Sequence, residues 1–184
     1  MNETLNVIAE RYSCRNFKPD PLSGETLHAI AKAAVQAPSG MNRQAWRVIV
    51  VKNKALIEEM DALGMEKLKA WEDKSFYNRM MERGGTLFYG ATAMVVIALD
   101  GKQPSEVDCG ILCQTVALAA TSLGIANVIC GLARVVFEGA RGEEFKKRLH
   151  FPEGYTFGCS VLLGYANTKK APHEPDMNKI IVVE

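Results

Sequence analysis

The sequence predicts an α+β fold, a sheet packed against helices in two or three layers within one unit. Three observations lead there. Segments with apolar residues at helical spacing alternate with short runs rich in β-branched residues. The strand-like runs arrive at uneven intervals, which does not fit a regular βαβ repeat. No internal repeat or linker interrupts residues 1–184, a normal size for a single domain.

The elements follow in chain order. Residues 4–10 read as a short helix with Leu5, Ile8 and Ala9 on one face. A polar loop ends in Pro19-Asp20-Pro21. Ser23 then caps a second helix, and Leu22 packs back on Leu27 as a hydrophobic staple. Leu27, Ile30, Ala31, Ala34 and Val35 recur at helical spacing until Pro38 stops the run. Residues 37–44 are a loop, 46–51 a strand, and 54–63 an amphipathic helix with Leu56, Ile57, Met60 and Leu63 inward. Residues 65–83 favour helix by propensity but carry Trp71, Phe76 and Tyr77, aromatics suited to a cap or lid. Residues 93–99 form an apolar strand closed by Asp100-Gly101. Residues 106–123 are apolar on nearly every side, which places a helix in a domain centre or at a large interface, ended by Gly124. Residues 127–131 are extended, 143–149 helical, 155–163 a strand ending at Gly164, and 180–183 a final short strand.

Composition removes several classes of function. The chain is 48% hydrophobic and 23% charged, as a globular protein is. Its net charge is +1 and its 22 basic residues are dispersed, unlike the basic stripe of a duplex binder. No apolar run reaches membrane-spanning length. Met1-Asn2-Glu3-Thr4 has no positive region leading into an apolar stretch, so a cytoplasmic location is expected. The five cysteines form no Cys-x-x-Cys, and an odd count argues for reduced thiols over a disulfide framework. Cys109 and Cys113 share a helix face, as two small buried residues would, and His28, His150 and His173 are far apart, so no metal site is expected. Neither Gly-x-Gly-x-x-Gly nor a phosphate loop of the NTPase type occurs. Ser122, in Ala-Thr-Ser-Leu-Gly, sits at a helix end and not on a strand-to-helix turn, which rules out a nucleophile elbow.

Two segments carry chemistry. In Arg11-Tyr12-Ser13-Cys14-Arg15, alternation along an extended chain sets Arg11, Ser13 and Arg15 on one side. Two planar, permanently charged donors and a hydroxyl suit a phosphate; the plainer alternative is a solvated basic loop. In Pro38-Ser39-Gly40-Met41-Asn42-Arg43-Gln44-Ala45-Trp46, Asn42 and Gln44 offer donors and acceptors to the polar edge of a heteroaromatic ring. Its plainer alternative is a helix-to-strand turn built from ordinary turn residues.

Taken together, Arg-x-Ser-x-Arg followed some two dozen residues later by Pro-Ser-x-x-Asn-x-Gln-x-Trp before a strand resembles the nitroreductase family. The strand at 93–99, the helix running into Ala-Ala-Thr-Ser-Leu-Gly-Ile-Ala, and the strand into Gly164-Tyr165 extend the likeness over nearly the whole chain. The resemblance implies an α+β fold with a central, mostly antiparallel sheet flanked by helices, in an intertwined homodimer with FMN at the interface. It implies that Arg11, Tyr12, Ser13 and Arg15 hold the FMN phosphate and ribityl chain. Pro38, Ser39, Asn42 and Gln44 line the flavin, with Pro38 and Ser39 reaching across from the partner, and Cys130 and Gly131 lie beside the ring. Many relatives place a late basic residue on the phosphate; here Lys169, Lys170 and His173 are the candidates. The implied chemistry is hydride transfer from NADH or NADPH through flavin to a nitroaromatic, quinone or flavin, with ping-pong kinetics and no catalytic side-chain acid. Other readings are another flavin reaction on the same scaffold, a non-catalytic flavin- or phospholigand-binding module, and a plain interaction domain.

Overall fold

Asn2 opens α1 (Glu3–Glu10) by accepting a hydrogen bond from Leu5 N at 3.0 Å, and Ser23 opens α2 (Gly24–Ala34) by accepting one from Thr26 N at 3.0 Å. Each cap satisfies a backbone donor that the first helical turn leaves free. The computed structural model describes residues 2–102 and 105–184. After α2 come β1 (Trp46–Val51), α3 (Lys54–Ala70), α4 (Ser75–Glu82), β2 (Ala93–Leu99), α5 (Ser105–Ser122), β3 (Ala126–Ile129), α6 (Gly139–Arg148) and β4 (Thr156–Gly164).

The four strands form one antiparallel sheet in the order β1-β2-β4-β3. β2 is central and buried along its whole length, so it shows no polar face. Its alternate residues serve two cores. Ala93, Val95, Ile97 and Leu99 face α2 and α5, while Met94 and Val96 face a layer of α3, α6 and the turn Gly131–Phe137. The architecture is therefore three layers. Each buried Val, Ile or Leu contributes roughly 1.5–3 kcal/mol by leaving water.

Several expectations change. The helix begun at residue 54 does not end at 63 but runs to Ala70. Gly64 lies inside it where a Cβ would come within 2.3 Å of Leu87 Cδ2, a position of close packing. The uncertain stretch at 65–83 becomes the end of α3, a break at Trp71, and α4. Trp71 and Phe76 meet edge to face at 6.1 Å, with Arg79 stacked 5.6 Å above the Phe76 ring. α2 ends at Ala34, and Val35, placed on its apolar stripe by spacing, is 50% exposed. The expected strand at 180–183 does not form: Ile180, Ile181, Val182 and Val183 follow a short turn and stay in solvent, without a neighbouring strand to supply the ladder hydrogen bonds. No helix among the described residues is long and apolar enough to cross a membrane.

A single carboxylate ties α3 to the chain entering β2. Asp61 accepts a hydrogen bond from Phe88 N at 2.6 Å. Burial pushes its carboxyl up to about 6, against the pull of the Phe88 and Leu87 backbone donors and with some help from Glu58. A carboxyl whose pKa is raised on folding stabilises the folded chain while it is protonated. That contribution is lost as pH rises from about 4 through about 6. Two units at ~1.4 kcal/mol each, reduced for partial solvent screening, leave on the order of 1–2 kcal/mol. Asp61→Asn keeps an acceptor for Phe88 and removes the charge. Thermal unfolding is expected to show the variant more stable than the parent at pH 8 and equal to it near pH 4. An unchanged difference across that range would remove Asp61 as the cause.

Candidate functional site

The segment after α1 crosses the ends of β3 and β4. Ser13 pairs with Asn127 in a parallel bridge, Cys14 N donates to Asn127 O at 2.9 Å, and Phe17 pairs with Ala166. Cys14 and Phe17 are buried on the core side, which turns their neighbours outward. Arg11, Tyr12, Ser13 and Arg15 accordingly line one cleft of about 360 Å³, together with Lys170, Ala171 and His173 from the chain after β4. Burial, then the neighbouring Cys14, pushes the Tyr12 phenol up, so it remains a neutral hydroxyl at physiological pH. Among the described residues, no carboxylate lies within 4.0 Å of the charged groups of Arg11, Arg15 or Lys170. No carboxylate is among the residues lining this cleft, while Glu82 shares the cleft on one side with Arg15 and Lys170, and Glu10 the one on the other with Arg11 and Lys170.

Of the three late basic residues, Lys170 and His173 share this cleft with both arginines. Lys169 lines an adjoining one with Arg11, Tyr12 and Lys18. On the other side, Tyr12, Arg15 and Lys170 continue into a larger cleft of about 640 Å³, walled by Arg83, Gly84 and Thr86. Sequence reasoning did not assign those three. The Gly84-Gly85 pair marks a turn, but nothing local says that the turn faces Arg15.

The second segment sits elsewhere. Residues 38–44 adopt an unusual backbone: Met41, Asn42 and Gln44 all have positive φ, at 51°, 54° and 48°. Each costs about 1–3 kcal/mol in a non-glycine residue, so the surroundings must impose it. Ser39 Oγ accepts from Gln44 N at 2.9 Å, and Gln44 Nε2 donates to Asn42 Oδ1 at 3.0 Å. Asp108, buried in the first turn of α5, accepts from Gly40 N at 3.1 Å, and Arg43 pairs with Asp100 at 3.0 Å. These anchors lie roughly sixty residues away in sequence, and no local signal marked Asp100 or Asp108 as loop supports. The result is a stiff loop with Pro38, Met41, Asn42 and Gln44 in solvent.

Asp108 and Thr121 are at opposite ends of α5, thirteen residues and so about 20 Å apart at 1.5 Å per residue. Thr121 lines a cleft with Arg11 and Tyr12, so within one chain the structure does not bring residues 38–44 to the arginines. Cys130 and Gly131 follow β3 directly. The Cys130 thiol is buried and pushed up to about 11, foremost by that burial, whereas Gly131 is exposed, with nothing within 4 Å of where a side chain would begin. Only backbone is presented at that point. No group of three or more His, Cys, Asp or Glu among the described residues can hold a metal ion.

The fold has three layers, a cleft lined by Arg11, Arg15, Lys170 and His173 runs along the segment after α1, and comparison with known proteins specifies the class. The model of the nitroreductase family matches residues 8–165. The chain belongs to the nitroreductase family and is an oxidoreductase of the nitroreductase type. A nitroreductase from Desulfitobacterium hafniense DCB-2, solved with bound FMN, is 67% identical over 100% of both chains, with a TM-score of 0.97. A nitroreductase from Bacteroides fragilis NCTC 9343, also solved with bound FMN, is 27% identical over 100% of both chains, with a TM-score of 0.91. A protein of Archaeoglobus fulgidus, provisionally named an NADH dehydrogenase/NAD(P)H nitroreductase, is 30% identical over 182 residues, covering 96% of this chain and 92% of the relative.

Proposed function

We propose that the chain works as a homodimer, in the reducing cytoplasm that its five free cysteines suit, carrying reducing equivalents from NADH or NADPH through FMN to a small acceptor such as a nitroaromatic, a quinone or a flavin. The observation that carries this reading is the cleft of Arg11, Ser13, Arg15, Lys170 and His173, cationic and with no carboxylate among its lining residues. The residues fit FMN. Guanidinium groups take phosphate oxygens in pairs, Ser13 and the neutral Tyr12 hydroxyl add donors, and Lys170 or His173 closes the far side. FMN, when bound, supplies a ring that accepts two electrons and a proton and passes them on.

The chain's own groups bind and orient. Gly131 leaves its backbone accessible, so an amide rather than a side chain faces the ring edge and can stabilise charge developing there. Pro38, Ser39, Asn42 and Gln44 reach such a ring only from a second copy, because their loop lies at the opposite end of α5 from the phosphate cleft. The same dimer covers apolar surface that one chain leaves in water. Val107 and Ile111 on α5 are 66% and 36% exposed, Leu5 and Ile8 on α1 are each 48% exposed, and Ile180 to Val183 are 62–90% exposed. The tail at 180–183 is free to add to the partner's sheet, where β1 forms an open edge.

The test is a preparation's pigment and turnover. Purified protein is expected to be a yellow dimer that releases FMN on denaturation. It should consume NADH or NADPH with nitroaromatic, quinone and free flavin acceptors, with parallel double-reciprocal lines as donor and acceptor are varied. A yellow protein that oxidises no nicotinamide with any of these acceptors is a binding module instead. A colourless protein that takes up no added FMN ends the proposal.

A further inference from the structure

Three of the five cysteines converge where α5 crosses β4, and nothing in the proposed reaction uses them. Cys109 and Cys113 are one turn apart on the sheet-facing side of α5, 5% and 2% exposed, and Cys159 is half-buried on β4 opposite Ile97. All three line one cleft of about 490 Å³ that opens beside Glu106 and Gly158.

The close approach of helix and strand has a cause in the backbone. β4 carries one residue more than β2 between the partners of Ile97 and Ala98, and that residue is Gly158. A Cβ at Gly158 would lie 2.7 Å from Leu99 Cδ1 and 3.0 Å from Cys109 Sγ, so a glycine lets α5 settle against the bulge. The thiols there are not equivalent. The Cys113 thiol faces Cys109 and Cys159, and those two neighbours, then burial, push it up and keep it protonated. Cys159 moves down because the Cys113 S–H faces it as a donor. Cys159 is also the one half-buried thiol of the three, so it is the one that peroxide meets first.

We propose that Cys113 and Cys159 form a reversible disulfide when the protein meets hydrogen peroxide. The Cys159 thiolate attacks one peroxide oxygen, the O–O bond breaks, and hydroxide leaves, giving a sulfenic acid on Cys159. The Cys113 sulfur then attacks the Cys159 sulfur. The S–O bond breaks, and the hydroxyl departs with the Cys113 proton as water. Two thiols are oxidised and one peroxide is reduced, with two waters released overall. Cys109 is the wrong partner for Cys113, because Cβ atoms four apart on a helix are about 5–6 Å apart, whereas a disulfide needs about 3.8 Å. The two thiols outside the cleft, Cys14 and Cys130, are buried in the opposite core layer and serve as internal references.

The experiment treats the purified protein, with and without flavin, with a few-fold molar excess of hydrogen peroxide. Remaining thiols are then alkylated and the digest mapped by mass spectrometry. The expected result is loss of two of the five titratable thiols, a crosslinked peptide joining residues 113 and 159, and full recovery with dithiothreitol. Cys159→Ser should protect Cys113, whereas Cys113→Ser should leave Cys159 to proceed to the sulfinic acid. Five thiols surviving peroxide, a bridge between another pair, or oxidation of Cys14 or Cys130 at the same rate as Cys159 would each overturn the proposal. Flavin content does not enter the outcome, so this failure is distinct from failure of the oxidoreductase reading.

Discussion

Arg11→Ala is expected to weaken FMN binding roughly 10- to 100-fold, and Arg15→Ala to do the same, since a hydrogen bond to a charged group is worth about 1.5–3 kcal/mol. The two should not be independent. Both guanidinium groups face one cleft, and removing the first leaves the second to carry more of the ligand's charge. The measurement is fluorescence titration of stripped protein with FMN at fixed ionic strength, supported by the flavin-to-protein ratio of each preparation. Raising the salt should weaken the parent more than either variant, because fewer cations remain to be screened. Variants that keep the parent's affinity would place the phosphate elsewhere. Arg→Lys at either position is expected to recover only part of the loss, since lysine keeps the charge but not the paired donors.

The largest expected effect on stability is at Gly142, far from that cleft. Gly142 lies in α6, where a Cβ would come 2.3 Å from Phe137 C and 2.6 Å from Phe137 O. Those atoms are backbone and cannot rotate aside, so α6 must move off the turn it covers. Phe137 is itself stacked on Phe157 at 4.7 Å between ring centres, and the displacement spreads into β4. Gly142→Ala should cost about 3 kcal/mol, at the upper end of overpacking effects. At this chain length that is roughly 6–12 °C in Tm. Gly24→Ala, at a helical position with nothing within 4 Å, is the control and should leave Tm level or slightly raised. Equal melting of both variants would mean that α6 relaxes freely.

Local chemistry carried much of the fold into view. The strands at 46–51 and 93–99 stand as read, because β-branched runs bounded by turn residues leave little choice of conformation. Ser23 and Gly124 mark their helix ends through backbone groups close by in sequence; Gly124 takes φ at 72° and its N–H returns to Thr121 O. Elements decided by distant packing were not legible. The helix expected over residues 54–63 continues to Ala70, with Gly64 inside it against Leu87. The turn Gly131–Phe137 contains no periodicity that distinguishes it from a strand continuing past residue 129. The candidate site divides the same way. Alternation sets Arg11, Ser13 and Arg15 on one side; the cleft holds these three and also Tyr12, which alternation sets on the other. That Lys170 and His173 share this cleft while Lys169 lines the adjoining one follows from the path of the chain after β4, which no residue type announces. The supports of the 38–44 loop, Asp100 and Asp108, act across the fold and leave no trace within the loop's own sequence.

The span of α5 between its two ends has a practical corollary for anyone handling the protein. If each pigment rests on an arginine pair from one copy and a stiff amide turn from another, dissociating the copies halves every pocket at once. Bleaching on dilution should then track the loss of dimer, so a stock kept concentrated stays coloured while the same sample at trace levels fades.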